Sequence, residues 1–308
     1  MKRVKYYLST VQIKLAVLLL LCFSIGMAEL KAQDSTNTAP VAKKKQFVKN
    51  TFNGNLLIDN QSVMVPIKGT FEFYIQHRFG VVSNGPKDLY GLYSGANMRL
   101  SASYVPVKNL QLGFGSTNDR MQVDGNIKYS ILKQTKDKKI PVSVTLYGDA
   151  AMDTRAKNSS LPIVTTSDRF SYFSQLIVAS KVCEFFSLQV APSISYYNNV
   201  PAYTDDKGII QPAMENQHVA ISFGGKIRLS EGMSLLLNYD QPITQHPMYN
   251  PHPNLSAALD FNTSGHDFQI TFGNYGYLLQ QDNNVLNQND FTKGQYCIGF
   301  NISRLWNF

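Results

Sequence analysis

The residues with the clearest capacity for chemistry lie in the run His246-Pro247-Met248-Tyr249-Asn250-Pro251-His252-Pro253. Two imidazoles and a thioether suit copper or another soft metal, which makes His246, Met248 and His252 candidate metal ligands. Their spacing matches no established ligand motif, and the same three prolines also describe a stiffened solvent loop. His266-Asp267 stands beside a short turn, and a catalytic pair there would need a nucleophile that the sequence does not supply. The Gly-x-Ser-x-Gly elbow, the His-Glu-x-x-His zinc helix and the Cys-x-x-Cys-His haem site are absent from the sequence. No catalytic residue is assigned and no cofactor is expected.

What must position such residues is an exported chain. Lys2, Arg3, Lys5 and Lys14 precede an apolar run from Leu15 to Ile25. That is the layout of a signal peptide and is too short to span a bilayer as a helix. Cleavage after Ala32 is expected, with Ala28 as the alternative. Acylation at Cys22 is disfavoured because Leu19, Leu20 and Leu21 are not the small residues such a site requires. The chain carries a formal charge of +8, and about half of that excess sits in the leader. The remainder is mildly basic, as a solvated surface is, and does not call for nucleic acid. Cys183 and Cys297 remain after processing and could form one bridge in an oxidising compartment.

From about residue 50 onward helical periodicity is missing, and the pattern has period two over segments near ten residues long. Phe186, Leu188, Val190, Ile194 and Tyr196 alternate with Ser187, Gln189, Ala191, Ser193 and Ser195. Val219, Ile221, Phe223 and Ile227 alternate with Ala220, Ser222, Gly224 and Lys226. A soluble sandwich also alternates. Here the polar parity is rich in Gly, Ser and Gln, and the connections alternate between short and long. Both features fit a transmembrane antiparallel up-and-down β-barrel with short periplasmic turns and long extracellular loops. Twelve strands are expected, near 70–79, 94–104, 109–117, 120–133, 140–152, 169–180, 185–198, 216–229, 233–241, 256–263, 266–273 and 294–304. The tight turn near Thr117 to Asp119 is the exception to the loop rule. Lipid leaves no partner for an unpaired backbone, so the sheet must close. An even count puts both termini in the periplasm, and it places Cys183 and Cys297 at opposite ends, too far apart for a disulfide.

The final strand is the most specific. Tyr296, Ile298, Phe300, Ile302, Trp306 and Phe308 share one parity. A terminal aromatic residue preceded by apolar residues at every second position resembles the signal read by the barrel-assembly machinery, and assigns that role to Trp306 and Phe308. Arg304 interrupts the series at a height where a guanidinium can snorkel to headgroups.

The first half also resembles a family of Bacteroidota outer-membrane barrels catalogued as domain of unknown function 5777 (DUF5777). The likeness is carried by Asn50-Thr51-Phe52-Asn53-Gly54, Lys68-Gly69-Thr70, Ile75-Gln76-His77-Arg78-Phe79-Gly80, Asp88-Leu89-Tyr90-Gly91-Leu92 and Asn97-Met98-Arg99-Leu100. Asp124-Gly125, Lys128-Tyr129 and Pro141-Val142-Ser143-Val144 continue it. The resemblance implies an outer-membrane barrel and no particular activity.

The organisation expected is therefore a signal peptide over 1–32, a periplasmic N-terminal segment or plug over 33–69, and the barrel over 70–308. Leu56, Ile58, Val63 and Val65 make residues 55–66 half apolar, fit to fill the barrel or cover its mouth. By parity, Phe71, Phe73, Ile75, His77 and Phe79 face lipid, and Glu72, Tyr74, Gln76 and Arg78 face the lumen. Arg78, Arg99, Lys128, Lys226 and Arg228 would make the lumen cationic and admit a small polar or anionic solute. The alternative is a lumen packed shut by pairs between those cations and Glu72, Asp149, Asp240 and Asp260. The function expected first is a passive channel or small-solute transport barrel seated in outer-membrane lipid. A structural or binding barrel engaging a partner through its outer loops is the alternative. A lipid-acting enzyme, with His77 on the lipid face, ranks third because no matching Ser is evident.

Overall fold

The computed structural model describes residues 46–157 and 163–308. The expected signal peptide, its cleavage site, Cys22 and most of the polar segment after it lie outside the described residues. No described helix is long and apolar enough to cross a membrane.

Twelve strands form the wall. They are β1 (Thr70–Val81), β2 (Asn97–Val107), β3 (Leu110–Thr117), β4 (Gln122–Leu132), β5 (Ser143–Asp153) and β6 (Phe170–Lys181). They continue as β7 (Phe186–Tyr197), β8 (Gln217–Arg228), β9 (Met233–Pro242), β10 (Asn254–Asn262), β11 (His266–Gly273) and β12 (Cys297–Asn307). Each pairs antiparallel with its sequence neighbour, and β12 returns to β1, so the sheet is a closed barrel. The twelve-stranded expectation therefore holds.

The alternation explains why these segments become strands of such a wall. In β7, Ser187, Gln189, Ala191, Ser193 and Ser195 are buried, whereas Leu188, Val190, Ile194 and Tyr196 are about 40% exposed. Apolar side chains outside and polar ones inside invert the pattern of a soluble protein, which suits a lipid solvent. A slip of one residue would turn every side chain to the wrong medium, so register is strongly specified. Prolines mark local breaks in the ladders. Pro106 falls where β2 and β3 lose register between Tyr104 and Val107, as expected for a residue with no N–H to donate.

Short connections lie at one end (108–109, 133–142, 182–185, 229–232 and 263–265), and the long ones, with the 118–121 turn, at the other. The start of β1 and the end of β12 meet at the short-turn end. Gly69 donates to the Val105 carbonyl at 2.9 Å, and the Phe308 N–H donates to the Gly69 carbonyl at 3.2 Å. Cys297 begins β12 at the long-loop end and Cys183 lies in a short turn; both are free thiols.

The chain enters under the β4–β5 connection, where Phe47 bridges Thr135. It then turns into the lumen. A small hairpin pairs Leu56 with Gln61 and Leu57 with Asn60, and Ile58 at its tip has a positive φ of 64°. Phe52, Leu57, Ile58 and Val63 form one apolar cluster with Tyr147, Phe173, Ile177, Ala191, Leu236 and Ala258 of the wall. From the long-loop end, residues 274–296 fold back and carry a helix, α1 (Gln280–Leu286), most of whose side chains are buried despite their polarity.

Candidate functional site in the barrel interior

The N-terminal segment is amphipathic about its own axis. Its apolar side chains meet apolar residues of β5, β6, β7, β9 and β10, and its polar groups meet charged residues of β1, β4, β8, β9 and β10. Asn53 donates to Asp260 at 2.6 Å, Asn60 donates to Asp240 at 2.9 Å, and Asn55 donates to Glu72. Asp59 forms a 2.7 Å ion pair with Arg78, both side chains being only 3% exposed. Lys128 donates to the Asn55 carbonyl and to Gln61 Oε1, each at 3.2 Å. Lys226 donates to the Asn50 carbonyl at 2.8 Å and to Asn53 Oδ1 at 3.2 Å. Main-chain groups are held as well: Gln189 accepts from the Val63 N–H at 3.0 Å, and Thr145 donates to the Val63 carbonyl at 2.8 Å. Buried backbone with no strand of its own needs such partners.

The charged lumen candidates are thus brought together, with partners other than those the charge pattern suggested. Glu72, Asp240 and Asp260 each receive an asparagine amide of the inserted segment, where pairs with cations of the wall were the expectation. Arg78 reaches Asp59. Arg99 reaches Asp124 at 2.5 Å, a residue on the same wall two strands away. Asp149 accepts from Gln281 of α1 at 2.9 Å. Arg228 is corrected outright: it has inward parity but lies at the short-turn rim, exposed, because β8 ends there. Asn53, Asn55 and Asn60 are the lumen contacts that strand reasoning missed. Their signal was present as asparagines around the apolar Leu56-Leu57-Ile58, but parity arguments do not apply to a segment that is not a strand.

The fit is close. A void between Asn55, Gln61, Tyr74, Arg99 and Lys128 measures about 30 Å³, room for roughly one water.

The candidate metal ligands are engaged otherwise. His246 is buried; its Nδ1 accepts from the Glu215 N–H at 3.0 Å, and its Nε2 lies 2.9 Å from Nδ1 of His218. Burial lowers the pKa of the His246 imidazole from its ordinary value. Met248 is partly exposed, and the contact made by His252 is a backbone one, its N–H donating to the Asn287 carbonyl at 2.9 Å. Among the described residues no three His, Cys, Asp or Glu side chains gather as a metal site would require. On the outside wall, His77 stacks on Phe300 with centroids 5.1 Å apart and packs against Phe79. Arg304 lies over the Trp306 ring, 4.9 Å from its centroid, and so rests its cation on an aromatic face.

A family of membrane-bound β-barrel domains of unknown function (DUF5777) matches residues 52–306. Among solved structures, the NanC porin aligns at 10% identity with a TM-score of 0.46, over 77% of this chain and 99% of that one. An outer membrane channel from Pseudomonas putida F1 aligns at 12% identity and 0.45, over 79% and 97%. The toluene transporter TodX of Pseudomonas putida aligns at 9% identity and 0.40, over 83% and 95%. No curated protein matches the chain in sequence.

Proposed function

The chain belongs to that family of membrane-bound β-barrel domains, and from this premise we propose that it is a small-solute transport barrel of the outer membrane, closed at rest by its own N-terminal segment. The short-turn end, where β1 begins and β12 ends, is periplasmic in this reading, as the loop rule for such barrels requires. One observation carries the proposal: a separate stretch of chain, residues 50–66, sits in the lumen among the inward side chains of the wall. On the arc from β1 to β4 the inward wall residues are mostly Ser, Thr, Gln and charged groups, which water can solvate once the segment moves. Passage would be diffusive, along that arc and past Arg78, Arg99 and Lys128, and needs no energy coupling. An anionic solute suits those cations. The passive channel or small-solute transport barrel expected from the sequence becomes, in this reading, a gated one.

Planar bilayers test it. The intact mature protein should give almost no conductance steps. A variant lacking residues 46–66, with folding verified by its heat-modifiable migration on gels, should give stable steps with anion preference. A folded deletion variant that stays silent sinks the transport reading.

A second reading, a barrel that binds a partner through its outer loops, draws on the tethering of those loops. The 243–253 loop is held by His246 to His218, and α1 is held to Asp149 and Tyr197. Such fixed loops present a defined surface. Pull-down with surface-biotinylated cells would favour this reading if the intact, non-conducting protein captured one partner stoichiometrically.

A further inference from the structure

At the long-loop end a cavity of about 560 Å³ opens above the inserted segment, and no residue of that segment lines it. The volume falls in the range that holds a small organic ligand. Its lining includes the apolar side chains of Met214 and Leu286 and the cations Arg120, Arg155 and Arg169.

The three guanidinium groups are not equivalent. Arg155 grips Asp153 through Nε and Nη2, the shorter contact being 2.6 Å. Arg120 faces Asp282 at 3.6 Å. Arg169 donates through Nη1 to the carbonyls of Asp153 and Arg155, both at 2.7 Å, and makes no ion pair with a described carboxylate. Its neighbour Asp168 turns its Oδ2 to the N–H groups of Val164 and Thr165, at 2.8 and 2.7 Å. Arg169 thus presents an oriented guanidinium with donors to spare, and carboxylate is the group whose geometry matches that fork. A second observation points to a ligand. Gln122 is 3% exposed and lines the cavity, yet its Oε1 has no hydrogen-bond partner. A buried acceptor left in this state is costly, and a ligand N–H or O–H would satisfy it.

We propose that this outer vestibule binds a small amphiphilic monoanion: its carboxylate meets Arg169, an N–H or O–H donor meets Gln122, and its apolar body lies against Met214 and Leu286. The place of this site at the start of a solute path rests on the transport reading; its occupancy does not. Neutral analogues leave Arg169 unmatched, and short hydrophilic anions leave the apolar wall wet, so both are discriminated against.

The test uses the full mature chain in lipid nanodiscs, titrated calorimetrically with N-acetylphenylalanine and with its neutral carboxamide, against empty discs. Saturable binding of the acid is expected, with the carboxamide at least about tenfold weaker. Arg169→Gln should lose the acid by a similar factor. Because Arg169 also staples its loop, Leu286→Trp provides an independent check: it fills the apolar wall, leaves Arg169 in place and should weaken the acid as well. Equal heats in empty discs, equal affinity for acid and carboxamide, or unaltered binding in folded Leu286→Trp would each overturn the site. Binding as expected, with no flux of the acid through the 46–66 deletion variant, would overturn the transport reading and leave the site standing.

Discussion

At the scale of single residues the interior is a set of small debts settled between two parts of one chain. The Arg78–Asp59 pair is the clearest, since both members are almost fully buried. Removing one charge strands the other, and the cost is about 3–5 kcal/mol. Arg78→Gln should therefore lower the urea midpoint markedly, followed by fluorescence of Trp306, the only tryptophan in the chain. Arg78→Gln combined with Asp59→Asn should recover most of the loss, because no lone charge remains. His246 makes a different prediction. Its Nδ1 accepts a hydrogen bond, so the ring must be neutral there, and burial already disfavours the proton. A group whose folded pKa lies below its unfolded value lends stability above the unfolded value, about 6.5 for His. That stability is lost as the pH falls from there toward the folded value. The protection of residues 243–253 against hydrogen exchange, taken relative to unstructured-chain rates at each pH, should fall as the pH drops below about 6.5, and His246→Gln should flatten the dependence. Arg78 was legible from its parity, whereas Asp59 was not, because it lies outside any strand.

At the scale of elements the strands were legible and their ends less so. Period-two alternation reports which side chain meets lipid, and it persists past the last ladder bond. The strand expected over 294–304 runs from Cys297 to Asn307 because pairing begins where β1 still offers Val81 opposite Cys297. The outward series continues to Tyr296, which stacks on Phe272 at 4.5 Å although the ladder has ended. The seam has its own weak point. Gly69 holds a φ of +86°, and a β-carbon there would run into the Phe308 carbonyl. Gly69→Val should cost about 1–3 kcal/mol through backbone strain and that clash. The temperature of the heat-induced gel shift should drop accordingly. Gly95→Val is the control, since the space around Gly95 is open, and it should leave that temperature unchanged.

At the scale of the whole molecule, barrel and inserted segment share one core. The apolar cluster spans both, so they should unfold together. Backbone amides of Ser62 and Val63, bonded to the Asn55 carbonyl and to Gln189, should exchange as slowly as those of β7. Exchange of these two at loop-like rates would show a segment loosely lodged. The sequence by itself determined the barrel, its strand count and, in the regularly alternating strands, the side of the wall each residue takes; Phe173, Ile177 and Leu236, apolar yet buried in the lumen, lie where both parities are apolar. It also marked the charged residues that face inward. Only the tertiary structure decided that Asp59, three asparagines and α1 meet those charges. Contacts between Asp59 and Arg78, or between Gln281 and Asp149, join points with no common period, so they exist only once the barrel has closed around the segment that fills it.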